Sequence, residues 1–225
     1  MKSVAPILLS LLFIGAIIVF VIALTLYSRR KARERTEHLR AVANLLGWQF
    51  GHEAPMDWIP GMNNFGLFNS GHSKRINNIM YGHANGVKAA LFDYTYTTGS
   101  GKHQSTHYQS VAYFEHRDLN LPFFSLRPEN FMHKLISALG YQDIDFNNRP
   151  TFSSQYLLRG NDEQRIRSTF DDALLAFYEV NPGVSTDGGG NQIFVFREGH
   201  HTPPEQIRAF IDWAAELQRR FLRHF

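Results

Sequence analysis

The sequence predicts an α+β fold, in which an N-terminal transmembrane helix precedes a mixed, mostly antiparallel sheet with helices packed on one side. Three observations predict it: an apolar N-terminus, a two-residue alternation around an Asn-Gly turn, and short apolar runs that alternate with helical patterns in the C-terminal half. The chain divides into a transmembrane anchor (1–28), a basic flank and linking helix (29–47) and a soluble domain (48–225). A division of that domain into two lobes, 48–146 and 147–225, stays open.

The anchor is an uncharged run from Ser3 to Ser28. As a helix, this run spans roughly 39 Å, which exceeds the hydrocarbon core of about 30 Å. A cleaved signal peptide has a shorter apolar region and a small-residue cleavage site, whereas a basic cluster follows here. The sequence therefore predicts a single-pass protein whose first partner is the lipid bilayer.

A basic flank follows the anchor and sets the expected orientation. It consists of Arg29, Arg30, Lys31, Arg33 and Arg35, whereas Lys2 is the one basic side chain before the anchor. Basic flanks stay on the cytoplasmic side. We therefore expect the protein in the inner (plasma) membrane, with its C-terminal domain in the cytoplasm.

Composition excludes several classes of function. The chain has no cysteine, which excludes disulfides, thiolate zinc sites, iron–sulfur clusters and cysteine nucleophiles. The net charge of +3 arises at the membrane flank, because residues 36–225 hold 17 Lys/Arg against 19 Asp/Glu. A slightly acidic domain disfavours nucleic acid as a partner.

The linking helix is predicted to continue to Leu46 and to end at Gly47, because Leu39, Val42, Leu45 and Leu46 form one apolar stripe. A short strand follows at 48–50. The apolar segment 57–68 either packs as core under a long loop or dips into the membrane surface.

The clearest hairpin joins strands 76–84 and 87–97 through Asn85-Gly86, the residues that a type I′ turn requires. A second hairpin returns through 98–106 into 107–115. Three strand-then-helix units are predicted next, with strands at 123–126, 154–158 and 192–196 and helices at 128–139, at 162–178 and after Thr202.

Candidate chemistry is sparse, and no catalytic residue or cofactor is predicted. Gly99-Ser100-Gly101-Lys102 resembles the end of a phosphate-binding loop, but Tyr96 stands where the first glycine is needed and His103 where Ser or Thr is needed. It is interpreted as a hairpin tip. Paired carboxylates at Asp143 and Asp145 are interpreted as a solvated edge.

Two further groups are weighed as binding sites. The candidate metal ligands are His83, Asp93, His103 and His107, because His103 and His107 share a face near a strand. Solvated histidines are the alternative. Arginines that follow three predicted strands, Arg127, Arg159 and Arg197, either line an anion site or form salt bridges.

Three segments, 92–96, 121–129 and 143–146, resemble a set of uncharacterised bacterial proteins with one N-terminal transmembrane helix and a domain of unknown function. The resemblance implies a bacterial inner-membrane setting. It implies no known activity, so no functional residue carries over.

Three functional hypotheses follow. The first is a membrane-tethered, non-enzymatic interaction module with a protein partner of unknown identity. The second is a metal-binding protein or hydrolase that uses the His/Asp set on the hairpin face. The third is a binder of lipid or another apolar ligand, with Trp58 and Phe65 lining a cavity.

Overall fold

The structure is a computed structural model, and it describes residues 5–129 and 143–222. Helix α1 runs without a break from Ala5 to Leu45, so the anchor and the linking helix are one rod. It ends as expected at Gly47, which has a φ of 67°. The Trp48 N–H then donates to the Ala43 carbonyl at 2.8 Å and turns the chain into the sheet.

The core element is one eight-stranded sheet in which every neighbouring pair is antiparallel, in the order β1-β2-β3-β4-β8-β7-β5-β6. This confirms the predicted α+β fold. The strands are β1 (Gln49–Ala54), β2 (His72–Ala84), β3 (Val87–Thr98), β4 (Ser105–Glu115), β5 (Leu121–Pro128), β6 (Tyr156–Gly160), β7 (Ser185–Gly190) and β8 (Gln192–Phe196). Because β4 pairs with β8, the sheet runs through both of the halves that the sequence left separable.

The β2–β3 hairpin has the predicted turn. Asn85 and Gly86 have φ values of 53° and 81°, and Ala84 pairs with Val87. The register shifts between Asn77 and Met80, where Asn78 adopts a φ of 52°. This bulge bends β2 beside α1 and redirects the Asn78 side chain.

Helices cover one face of the sheet, which we call the helix face. They are the end of α1, α3 (Pro150–Gln155), α4 (Glu163–Thr169), α5 (Asp172–Glu179) and α6 (Ile207–Leu222). The apolar stripe of α6, with Ile207, Ile211 and Phe221 buried, packs there beside Leu39 and Ala43 of α1. Burial of this stripe is the main force that folds α6 onto the sheet.

The opposite face, which we call the aromatic face, is covered by the segment 55–70, including the short helix α2 (Gly66–Asn69). Phe68 is fully buried, and its ring centroid lies 5.0 Å from those of Tyr94 and Phe194. Edge-to-face packing of this kind adds to the area that the rings bury. The segment therefore packs as core rather than reaching for a membrane.

Two predicted elements differ. The strand predicted at 154–158 begins two residues later, because residues up to Gln155 form α3. The helix predicted at 162–178 is two helices, since Asp171 caps α5 by accepting from the Leu174 N–H at 2.7 Å. The helix predicted at 128–139 falls largely outside the described residues.

Gly82 of β2 is required by a close contact with Trp48. A Cβ at Gly82 would lie 2.6 Å from the Trp48 ring, whose Nε1 donates to the His83 carbonyl. We expect Gly82→Ala to lower the free energy of unfolding of the full chain by about 1–3 kcal/mol. Gly51→Ala is the matched control, because the nearest atom there is 3.7 Å away. Urea unfolding followed by tryptophan fluorescence distinguishes them, and equal losses would contradict the contact.

Candidate functional site

A buried ion pair joins the membrane helix to the sheet. Arg35 of α1 donates from Nε to Asp93 Oδ2 at 2.8 Å and from Nη2 to Oδ1 at 2.8 Å, which is a bidentate pair. The Arg35 side chain is 16% exposed and that of Asp93 is 4% exposed. Arg35, which the sequence analysis grouped with the basic flank, is therefore a buried cation of the domain.

Neutral groups surround the pair and occupy its remaining hydrogen-bonding capacity. Arg35 also donates to the Thr202 carbonyl at 2.9 Å and to Ser110 Oγ at 3.1 Å. Ser110 Oγ lies 2.9 Å from Asp93 Oδ1 and accepts from the Thr202 N–H at 3.0 Å. We call this group, with Asn78, the clamp; it ties α1, β2, β3, β4 and the entry to α6 together.

Asn78 completes the clamp through the β2 bulge. Its Nδ2 donates to Asp93 Oδ2 at 2.9 Å, and its Oδ1 accepts from Thr36 Oγ1 at 2.8 Å. Asparagine is among the few residues that adopt positive φ readily. Asn78 is thus both the residue that permits the bulge and a bridge from sheet to helix.

The electrostatics of the clamp favour an ionised Asp93. Burial by itself would raise the pKa of Asp93, but the hydrogen bonds and charge of Arg35, with His201 and Asn78, hold that pKa below its ordinary value. Burial lowers the pKa of the neighbouring His201, which keeps its imidazole neutral near pH 7. The ionised pair is therefore stable in the folded protein at neutral pH.

The candidate metal ligands do not converge. Asp93 is bound in the clamp, His83 lies near the β2–β3 turn, and His103 sits in a single 3₁₀ turn between β3 and β4. His107 stacks on Tyr96 at 4.8 Å and shares a hydrogen bond with Thr98 Oγ1 at 2.8 Å. Within residues 5–129 and 143–222, no three His, Asp or Glu side chains are grouped as metal ligands. The predicted set fails to assemble because its members lie along the length of the sheet and on both faces.

The three arginines weighed as an anion site also separate. Arg127 makes a bidentate pair with the fully buried Asp187 at 2.7 and 2.9 Å and lies 3.1 Å from Glu198. Arg197 donates to the Pro182 carbonyl at 2.7 Å, and Arg159 lines a separate cleft. Arg127 is thus a buried structural cation. The sequence pattern missed Asp187 because it lies in a Gly-rich run without apolar alternation.

A cleft of about 640 Å³ opens at the end of the sheet far from the start of α1. The residues that line it include three small ones (Gly82, Ala89, Ala90) and four aromatic ones (Trp48, Trp58, Tyr81, Tyr113). Trp58 lines it as the apolar-ligand hypothesis expected. Phe65 does not, because it packs on Phe194 at 4.7 Å.

The comparisons with known proteins inform the fold. No known protein family and no curated protein matches the sequence. The structure is similar to that of TtfA. That crystal structure, of the mycobacterial trehalose monomycolate transport factor A, superposes with a TM-score of 0.59 over 85% of this chain and 94% of TtfA. At 13% identity, the similarity to TtfA shows a shared fold.

One helix of the described part, α1, is long and apolar enough to cross a membrane, which fits a single-pass membrane protein. Its residues 8–34 are exposed, and packing onto the domain begins only at Arg35. Arg29, Arg30, Lys31 and Arg33 are all exposed, unlike Arg35. The flank thus divides into four solvent-facing cations and one structural cation.

Removing the Asp93 charge tests the clamp. Asp93→Asn leaves Arg35 buried without its counter-ion, and we expect a loss of about 3 kcal/mol in the free energy of unfolding at pH 7. Because the folded pKa of Asp93 is lowered, its contribution is present above the unfolded pKa and is lost as pH falls through the folded value. The difference between wild type and variant should therefore shrink below about pH 4.

Glu115→Gln is the control for this test, since the Glu115 pair with Lys88 is more exposed and is expected to contribute less than about 1 kcal/mol. Urea unfolding of the full chain at several pH values measures both. A loss for Asp93→Asn no larger than that of the control would contradict the clamp.

Proposed function

We propose that the protein is a single-pass, membrane-anchored interaction module that acts without catalysing a reaction. The observation that carries the proposal is the rigid coupling of anchor to domain. Helix α1 is unbroken for 41 residues, and the clamp fixes its last turns to the sheet. An enzyme on a tether has no need of this coupling, whereas a module that presents a surface at a set height above the bilayer depends on it.

The fold comparison supports the same direction. TtfA is named as a transport factor for trehalose monomycolate, and it shares this fold over most of both chains. We carry over from TtfA only the idea of a factor in transport.

For orientation, we propose that the domain faces the cytoplasm in the inner membrane. The support is the four exposed cations that directly follow the apolar run. Arg35 no longer contributes to this argument, because its charge is neutralised by Asp93.

Photo-crosslinking in cells tests the proposal. A photoreactive residue replaces Tyr81, which is exposed at the aromatic cleft, or Val180, which is exposed at the end of α5. We expect a discrete protein adduct from one surface of the domain and none from the other. His107→Ala should keep both the adduct and complementation of a deletion strain.

Asp93→Asn should reduce the adduct while the protein stays in the membrane, because the domain is no longer held at a fixed angle. Loss of complementation in a folded His107→Ala protein, with no adduct from either position, would overturn the proposal in favour of catalysis.

A second candidate function is binding of a lipid or another apolar ligand, and the cleft is the observation that favours it. Its volume of about 640 Å³ lies within the usual range for ligand sites, and four aromatic side chains are among the residues that line it.

Tryptophan quenching tests this candidate, because two of the three tryptophans, Trp48 and Trp58, line the cleft. We expect a brominated fatty acid to quench the full chain in nanodiscs saturably. Ala90→Leu, which adds volume to the lining of the cleft, should abolish the saturable part. Tyr81→Glu, at the exposed rim, serves as a second variant if the first misfolds. Unsaturable quenching that is equal in all three proteins would exclude the cleft as a site.

A further inference from the structure

The direction of α1 relative to the sheet is set by contacts at both ends of its packed region. Thr36 Oγ1 bonds Asn78, and twelve residues later Trp48 Nε1 bonds the His83 carbonyl. About 15 Å separates Thr36 from the end of α1, and about the same distance separates Asn78 from His83 along β2. The helix and β2 therefore run side by side in the same direction.

Followed backwards, both elements lead to the same end of the sheet, which we call the proximal end (residues 70–75, 97–108 and 199–202). Ser28, where the apolar run finishes, lies about 12 Å before Thr36 along the helix. The segment of β2 from His72 to Asn77 pairs with Thr97 to Asp93 of β3, so across its bulges the start of β2 lies about 15 Å before Asn78. His72 pairs with Thr97, so the β3–β4 turn extends past this level. The turn therefore reaches about the level of Ser28, where the apolar run of α1 ends.

The β3–β4 turn, Gly99–Gln104, is exposed and has a defined shape. The His103 N–H donates to the Ser100 carbonyl at 3.1 Å, and His72 Nε2 lies 3.1 Å from the Gly99 carbonyl. A Cβ at Gly99 would lie 2.2 Å from the His103 carbonyl oxygen, so the turn depends on glycine there. The turn is held to β2.

Charge is segregated toward this end. Besides the neutral His201, the proximal end carries three cations and four histidines: Lys74, Arg75, Lys102, His72, His103, His107 and His200. It carries no acid, because the chain has no Asp or Glu from 70 to 84, from 94 to 114 or from 199 to 204. Glu53 and Glu205, which are exposed, lie outside these segments, and Glu53 of β1 is opposite Asn77 of β2 in the sheet.

The opposite end of the same strands is balanced in charge, because Glu115 pairs with Lys88 and Asp118 pairs with Arg117. In a domain that is slightly acidic overall, this leaves the positive potential facing along α1 toward the bilayer. A basic surface at headgroup height is complementary to anionic lipid.

We propose that the Gly99–Gln104 turn rests on the bilayer and binds anionic phospholipid headgroups, with Lys102 as its principal charge. The inference goes beyond the proposed function and requires only that α1 is a membrane anchor. It gives the domain a second membrane contact, so that helix and turn together fix its tilt.

The absence of native cysteine permits a direct measurement on the full chain. Single cysteines replace Ser100 in the turn, Asp118 at the opposite end and Ile17 within α1. Each carries a fluorophore in nanodiscs of phosphatidylcholine with or without phosphatidylglycerol, and headgroup or acyl-chain nitroxide lipids act as quenchers.

We expect headgroup nitroxides to quench the fluorophore at Ser100 severalfold more than at Asp118 in anionic nanodiscs. The difference should fall in neutral nanodiscs and at high salt, since the contact is electrostatic. Lys102→Glu should remove it, whereas Lys88→Glu, an exposed lysine at the opposite end, should not.

Equal quenching at Ser100 and Asp118, with Ile17 quenched by acyl-chain nitroxides, would overturn the headgroup contact while leaving the anchor intact. No quenching at Ile17 would overturn the anchor and the proposal together.

Discussion

The bidentate pair between Arg35 and Asp93 is the interaction on which the placement of the domain over the membrane depends. Without it, the end of α1 would be held to the sheet mainly by an apolar stripe, in which Leu39 and Ala43 are fully buried and Val42 and Leu46 are partly buried. Apolar contacts can hold a helix against a sheet but leave its slide and rotation loosely set. The Arg35–Asp93 pair has two nitrogen–oxygen contacts of 2.8 Å, and keeping both of them sets the slide and the rotation of the helix.

The clamp also explains how a charged residue can lie inside the fold next to a membrane anchor. Burial of an unpaired guanidinium is costly, and even a simple pair barely offsets its desolvation. Here Ser110, Asn78 and the Thr202 carbonyl supply the hydrogen bonds that complete the pair. The same arrangement recurs on the aromatic face, where the Leu67 N–H donates to Asp187 beside Arg127. On each face of the sheet, a buried carboxylate thus holds a packed segment. Asp93 holds α1 on the helix face, and Asp187 holds Leu67 of α2 on the aromatic face.

Much of the fold could be predicted because local signals and packing agree. Asn85-Gly86 specifies its turn independently of the rest of the chain, and the α6 stripe specifies which side is buried. The clamp could not be predicted in this way. Arg35 belongs to a run of like residues, and only the distance from Leu39 along the helix, one turn, indicates that it faces inward. Asp93 lies between Phe92 and Tyr94 in β3, and the sequence pattern there does not distinguish a metal ligand from the partner of an ion pair.

The break between α4 and α5 was missed for a related reason. The apolar pattern continues through Phe170, so periodicity alone joins the two helices, whereas the Asp171 side chain competes for the Leu174 N–H and restarts the helix. Most of the lining of the cleft at the far end of the sheet was missed for a similar reason. Its lining residues come from several separate elements, so no local sequence pattern predicts it.

Because α1 is one uninterrupted helix from its apolar run to the clamp, its length also fixes an angle. Each residue of an α-helix advances the chain by about 100° of rotation. The face of the domain that points toward a neighbour in the plane of the bilayer is therefore determined by the number of residues between Ser28 and Arg35. A single added or deleted residue there would keep every contact within the domain and yet turn it through more than a quarter of a circle. For this protein, the length of the flank determines which face of the domain points toward a neighbour, just as its charge determines the expected orientation across the membrane.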